Sequence, residues 1–242
     1  MYVITRANTA IMSVIVAIEG NIGTGKSTNL KMLERRFKQH PLGRPVVFLQ
    51  EPVDTWKTIV DEDGISILER FYADQDTWAF AFQMMAYISR LSLLKQAVKD
   101  NPNAIIFTER SLFTDKNVFA KMLYDDNKIN HIEYTIYMEW FNDFIEDLPL
   151  AGIIYMRSAP EICFGRVIKR SRRGEHIPLD YLIKCHEYHD DWILNNAETT
   201  NVIVLNCDTD NIEFPSITTE WFNQINSFVG NLYTSQIYNE IN

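Results

Sequence analysis

Cysteine, glycine and proline are all scarce in this chain, with three, nine and eight copies among 242 residues. Cys163, Cys185 and Cys207 are odd in number and show neither C-x-x-C nor Cys/His ligand spacing, which argues against a disulfide framework or a zinc site. A reducing compartment follows as the expectation. So little glycine and proline leaves no room for a collagenous, linker-like or low-complexity segment. No uninterrupted apolar run approaches the length of a membrane span, which excludes a membrane partner of that kind. Positive charge is also in deficit, and a net charge of −9 disfavours any general affinity for nucleic-acid backbone. The opening stretch MYVITRANTAIM lacks the apolar core and cleavage site of a secretory signal, and Met12 offers a second start. We therefore expect an N-terminal extension over 1–12 and a single domain over 13–242, cytoplasmic, with organelle targeting through the Arg6-bearing start as the alternative.

What the chain does contain suits a packed α/β core: 46% of its residues are hydrophobic and 23% charged. Five β-branched runs begin at Val14, Val46, Ala104, Gly152 and Val202, and helical patterns separate them. That alternation predicts a five-stranded parallel sheet with helices on both faces, whose strand ends share one ligand-binding edge. Long apolar helices are predicted over Gln75–Lys99, Lys116–Leu123 and His131–Asp147. A helix apolar on most sides must be covered on most sides, so a homodimer through region 75–147 is expected, with packing inside one chain as the alternative.

The first strand runs into Gly20, Asn21, Ile22, Gly23, Thr24, Gly25, Lys26, Ser27 and Thr28, where Gly20 to Ser27 match G-x-x-x-x-G-K-[ST] and helical periodicity is predicted directly behind, from Thr28 to Gln39. The glycines let successive N–H groups face one anion at the positive end of the helix dipole. Lys26 would reach the β- and γ-phosphates, and the Ser27 hydroxyl would meet a Mg²⁺ bridging them. A nucleotide site is thus indicated, but not the reaction.

Other strand ends carry the candidate chemistry. Glu51, held extended by Pro52, would face the γ-phosphate and take the proton of an attacking hydroxyl. Glu109 beside the phosphates would hold Mg²⁺ through water, and Arg110 would neutralise charge on the transferring group. Arg166 and Arg170 lie four apart on one helical face, and with Arg172, before Gly174 and Pro178, they read as a basic mobile lid. Arg90 in an apolar helix would cost several kcal/mol unpaired, and Asp115 is its natural partner.

In order along the chain, GNIGTGKST, EPVDTW at Glu51–Trp56, WAFAFQ at Trp78–Gln83, ERS, the run Arg170–Glu175, IPLDYL and HDDW resemble the deoxynucleoside kinase family from Val14 to about Val204. The resemblance implies a P-loop kinase fold with a mobile lid, and ATP–Mg²⁺ as donor to the 5′-hydroxyl of a deoxynucleoside. It casts Glu51 as general base, Arg110 as the arginine that orients the hydroxyl, and Arg166, Arg170 and Arg172 as lid arginines. Tyr72 and Glu175 match the pair that binds the sugar 3′-hydroxyl, although Gly174 stands where an acidic residue is common. Trp56, Phe82, Gln83, Arg90, Asp115 and Phe119 match the base pocket, and the Arg/Asp pair resembles the deoxycytidine and deoxyguanosine kinase branch rather than thymidine-accepting members. The turn Cys207–Phe214 lies where the family holds adenine. A thymidylate-type kinase is the nearest rival, but Gln50 precedes Glu51 where an anionic acceptor would call for arginine. A GTPase switch would need D-x-x-G after a third strand, whereas Asp61–Gly64 follows none, and a non-catalytic nucleotide scaffold is the remaining alternative.

Overall fold

Strand β1 (Val14–Glu19) is buried along its whole length, as a central parallel strand must be when helices cover both faces. The computed structural model describes residues 13–172, 175–196, 201–209 and 215–241, with side chains to residue 234. The expected extension over 1–12 lies outside them. Strands β2 (Val46–Leu49), β3 (Ile105–Glu109), β4 (Leu150–Arg157) and β5 (Val202–Asn206) join β1 in the order β2-β3-β1-β4-β5, every pair parallel. The expected five-stranded parallel sheet is present, and each predicted apolar run forms one of its strands.

Side-chain alternation sorts β1 and β3 between two cores. Val14, Val16 and Ile18, with Ile105 and Phe107, pack under α1 (Lys26–Gln39) and α10 (Pro215–Ile241). Ile15, Ala104 and Ile106 pack under α4 (Gln75–Asp100) and α7 (His131–Ile145). Phe107 is enclosed by Phe48 and Phe37, with ring centroids at 5.2 and 5.5 Å. Between β2 and α4 lie α2 (Val53–Thr58) and α3 (Ile67–Ala73), the latter opened by a capping box in which Ser66 and Glu69 satisfy each other's backbone N–H.

Two helices differ from expectation. Helix α1 begins at Lys26, so Lys26 and Ser27 occupy its first turn behind Gly25, whose φ of +91° only glycine takes at low cost. The helix expected over Lys116–Leu123 starts earlier, as α5 (Leu112–Thr114), passes through a π-helical stretch Asp115–Ala120, and ends as α6 (Lys121–Asp125). A change of hydrogen-bond register leaves no trace in apolar spacing, and such stretches gather at functional sites. Beyond β4 come α8 (Pro160–Arg170), α9 (Leu179–Asp190) and a second π stretch, Asp191–Asn195.

Two further charged features are structural. The D-x-x-G match is a turn: Asp61 accepts from the N–H groups of Asp63 and Ile65 and holds Arg70 of α3. Arg157, at the end of β4, grips Asp190 at 2.8 Å.

Candidate active site

The carboxyl ends of β1, β2 and β3 open into a cavity of about 590 Å³, closed on the far side by α3, α4, the π stretch after α5, and α8. Every predicted site residue lines it except Gly20 and Asn21. Those two shape the loop instead. Asn21 donates to the Leu182 carbonyl at 2.7 Å and accepts from its neighbour's N–H at 2.8 Å, tying the loop to α9. At Gly23, φ is +92° and an added Cβ would stand 2.5 Å from the Cys163 carbonyl oxygen, so no side chain fits.

Lys26 is buried, and its Nζ donates to the carbonyls of Gly20 at 3.1 Å and Asn21 at 2.8 Å. Burial, and then the charge of Arg110, lower its pKa to about 7. Ser27 donates its hydroxyl to Glu109 Oε1 at 2.6 Å. The two oxygens flanking the loop are thus already adjacent, and such hard oxygen donors suit Mg²⁺.

At the centre lies Glu51, whose N–H is 3.5 Å from Glu109 Oε2. Its Oε1 accepts from Arg90 Nη2 at 3.1 Å and lies 3.5 Å from Arg110 Nε. Burial by itself would raise its pKa, but Arg90, Arg110 and Lys26 together outweigh burial and hold the carboxyl below its ordinary range. Arg90 meets Asp115 as predicted, at 2.8 Å through Nε and 3.3 Å through Nη2, and also reaches the Glu109 carbonyl at 3.2 Å. Its bond to Glu51 was not anticipated, because nothing in the spacing of residues 51 and 90 brings them together.

Gln83 is buried, with its amide nitrogen 3.4 Å from the Asp115 carbonyl. Trp56 sets its ring edge against Phe82 at 5.6 Å and fixes its indole N–H on Ser89 at 2.9 Å. One face of Phe82 is covered by Phe71 at 4.4 Å, an aromatic that sequence reading missed although it sits in the apolar stripe of α3. Phe119 lies under the Arg110 guanidinium at 4.8 Å. Arg110 itself adopts φ +63°, a left-handed conformation rare for a side chain of its size.

Around the lid, Arg170 binds Glu175 at 2.5 Å and Arg172 lies 3.6 Å from the same carboxylate. Burial and the Glu175 charge push the Tyr72 phenol up, so it stays a donor. Arg166 is held at 2.9 Å by the Cys207 carbonyl, in the turn after β5 where the donor's adenine was expected. Gly174 and the end of that turn, from residue 210 to Phe214, lie outside the described residues. Glu19 is a further group not picked from sequence: fully buried at the end of β1, it accepts from the Ser111 N–H at 2.8 Å and from the Thr114 hydroxyl. It anchors the turn that carries Arg110. Its only signal in sequence is an acid ending an apolar strand.

A phosphate-loop motif leading into α1 at the carboxyl edge of a parallel sheet, with a deep cavity and a cluster of arginines beside it, marks a P-loop phosphotransferase. The profile of the deoxynucleoside kinase family matches residues 16–230. The chain is 35% identical over 207 residues to deoxycytidine kinase of Bos taurus, covering 77% of each protein, and 34% identical to that of Homo sapiens over the same share. It is 30% identical over 244 residues to mitochondrial deoxyguanosine kinase of Xenopus laevis, covering 90% of each. The chain belongs to the deoxynucleoside kinase family, and it phosphorylates deoxynucleosides with ATP as donor, a step of nucleotide salvage. No helix among the described residues is long and apolar enough to cross a membrane.

The lowered pKa of Lys26 has a measurable sign. A triphosphate favours the ammonium, so nucleotide binding at about pH 8.5 should take up close to one proton, and binding below pH 6 should take up none at this site. Calorimetry in buffers of different ionisation enthalpy reads this directly, and Lys26→Arg, charged throughout, should abolish it. In the unliganded protein the same group makes stability rise with pH between about 7 and 10.5, because the unfolded chain there holds the extra proton. Proton uptake unchanged in Lys26→Arg would refute the assignment.

Proposed function

We propose that Glu51 takes the 5′-hydroxyl proton while Lys26, Arg110 and the lid arginines stabilise the transferring γ-phosphoryl group. The observation that carries this reading is the place of the Glu51 carboxylate, between the phosphate loop and the pocket of Phe82, Gln83 and Asp115, and held ionised by two guanidinium groups. A base with a depressed pKa stays charged at neutral pH and accepts the proton as the hydroxyl acidifies in the transition state. Tyr72 and Glu175 bind the sugar 3′-hydroxyl, the phenol donating and the carboxylate accepting. The lid closes when phosphate replaces Glu175 as the partner of Arg170 and Arg172, and it shuts out water. Ser27, with Glu109 through water, would hold a Mg²⁺, which neutralises phosphate charge when bound.

Deoxycytidine and deoxypurines are the preferred acceptors, and thymidine a poor one. Arg90, fixed by Asp115, sets a guanidinium beside the pyrimidine 5-position, and breaking a buried pair to admit a methyl group costs roughly 3 to 5 kcal/mol. A cytoplasmic setting fits the three free, buried thiols, and a small-molecule substrate with no nucleic-acid partner fits the net charge of −9. A homodimer fits the stripe Ile132, Ile136 and Trp140, spaced four apart on α7 and 71%, 42% and 48% exposed. Such a contiguous apolar face is costly to leave in water.

Glu51→Gln should retain nucleoside affinity and lose about 10² to 10⁴ in kcat. Turnover within about threefold of the parent would put the base elsewhere.

Arg90→Met combined with Asp115→Ala removes both buried charges and should raise thymidine kcat/KM relative to deoxycytidine by about a hundredfold. The same pair of changes releases Glu51 from one guanidinium, so turnover on deoxycytidine should fall. Equal kcat/KM for the two nucleosides in the unmodified protein would overturn this account of the pocket.

Light scattering on Ile136→Glu with Trp140→Glu should report a monomer of about half the parent's mass. A parent already monomeric at tens of micromolar would end the dimer proposal.

A further inference from the structure

Arg110 carries the transition-state charge in the reading above, yet its guanidinium must be aimed from a strained backbone. Its Nη1 donates to the Gly20 carbonyl at 2.9 Å and lies 3.3 Å from His189 Nε2. Those two acceptors use both hydrogens of that nitrogen, and Nε remains 3.5 Å from Glu51. His189 is fully buried on α9. Its Nδ1 stands 2.5 Å from the Cys185 carbonyl one turn earlier. A carbonyl accepts and never donates, so the ring proton is on Nδ1, and Nε2 turns a lone pair towards Arg110. Two rings then hold the imidazole. Tyr155 lies parallel to it at 6.3 Å, and Phe119, which also underlies Arg110, meets it at 86°. Tyr155 is itself fixed by Asp190 at 2.6 Å. Burial and the charge of Arg110 both keep the ring neutral.

We propose that His189 is a positioning residue for phosphoryl transfer, whose Nε2 accepts from Arg110 Nη1 and fixes the guanidinium against Glu51 and the acceptor hydroxyl. The proposal rests on the role given to Arg110 above. A second acceptor on Nη1 removes the rotation that one hydrogen bond would leave, and small errors in aim at a charge-stabilising group are expensive in rate. His189 does not line the cavity, so it acts through Arg110 and not on substrate.

His189→Asn and His189→Gln separate this role from a purely structural one. The asparagine amide can keep the bond to Cys185 but has no atom at the place of Nε2, whereas the longer glutamine can return an acceptor there. We expect Asn to lower kcat roughly tenfold or more, with nucleoside Kd within about threefold of the parent, and Gln to recover most of the loss. In an Arg110→Ala background the Asn substitution should cost less than about threefold, because nothing remains to be positioned. The same loss in both backgrounds, no recovery by Gln, or failure of both conservative variants to fold would each assign His189 to the scaffold and overturn the proposal. Full turnover in Arg110→Ala alone would instead overturn the role of Arg110, and the two failures are distinguishable.

Discussion

A guanidinium shut away from water at the middle of α4 constrains most of this site. Arg90 has 4% of its side chain exposed, and a lone charge at that depth would cost several kcal/mol. Three segments remote in sequence meet the demand: Asp115 from the π stretch after α5, Glu51 from the end of β2, and the carbonyl of Glu109 from the end of β3. Each must stand within hydrogen-bond reach of one flat group, so the bond network sets the spacing between base pocket and phosphate loop. The group proposed to read the nucleobase thereby also holds the carboxylate proposed to do the chemistry. Under those proposals, discrimination between bases and the rate of transfer share one residue and are not tuned independently.

The cavity lining is basic on balance, and several of its charged and polar groups already have partners within the protein at the places proposed for substrate. Glu175 occupies the lid arginines, two backbone carbonyls occupy the Lys26 ammonium, and Glu109 occupies the Ser27 hydroxyl. A polyphosphate would replace these contacts one for one, so the arriving charge need not be desolvated into empty space. Carboxylate partners also keep the guanidinium groups oriented before substrate arrives, and preorganisation of this kind is the larger part of electrostatic catalysis. The lowered pKa of Lys26 shows the balance there: burial and the charge of Arg110 disfavour the ammonium more than Glu109 and Glu51 favour it.

The turn that follows β3 is strained. Arg110 sits in the left-handed region, and its backbone N–H is tied to Ile18 while Glu19 binds the next residue's N–H. The central strand therefore dictates where the third strand must stop. Phe119 completes the enclosure from the π stretch that follows, and His189 from α9, an element remote in sequence from the turn it supports. A conformation costing about 1 to 3 kcal/mol persists because the surrounding contacts over-determine it.

Local chemistry made much of this legible from the sequence. The glycine loop, the alternation of β-branched runs with helices, and a charged residue inside an apolar helix each follow from rules acting over a few residues, and they yielded the parallel sheet, the phosphate site and the Arg90–Asp115 pair. The same rules found the helices but not their register: a start at Lys26 in place of Thr28, and a π stretch where an α-helix was expected. What no local rule contained is which distant groups share a partner. Glu51 on Arg90, Glu19 under the Arg110 turn and His189 on Arg110 depend on chain separated by tens of residues coming within hydrogen-bond reach, and Phe71 behind Phe82 on two different helices meeting. Residue type fixes what a side chain is able to bond, and the sequence therefore determined the inventory of donors, acceptors and charges. The burial that makes each unmet partner costly is a property of the packed whole, so the tertiary structure alone decided how that inventory was paired.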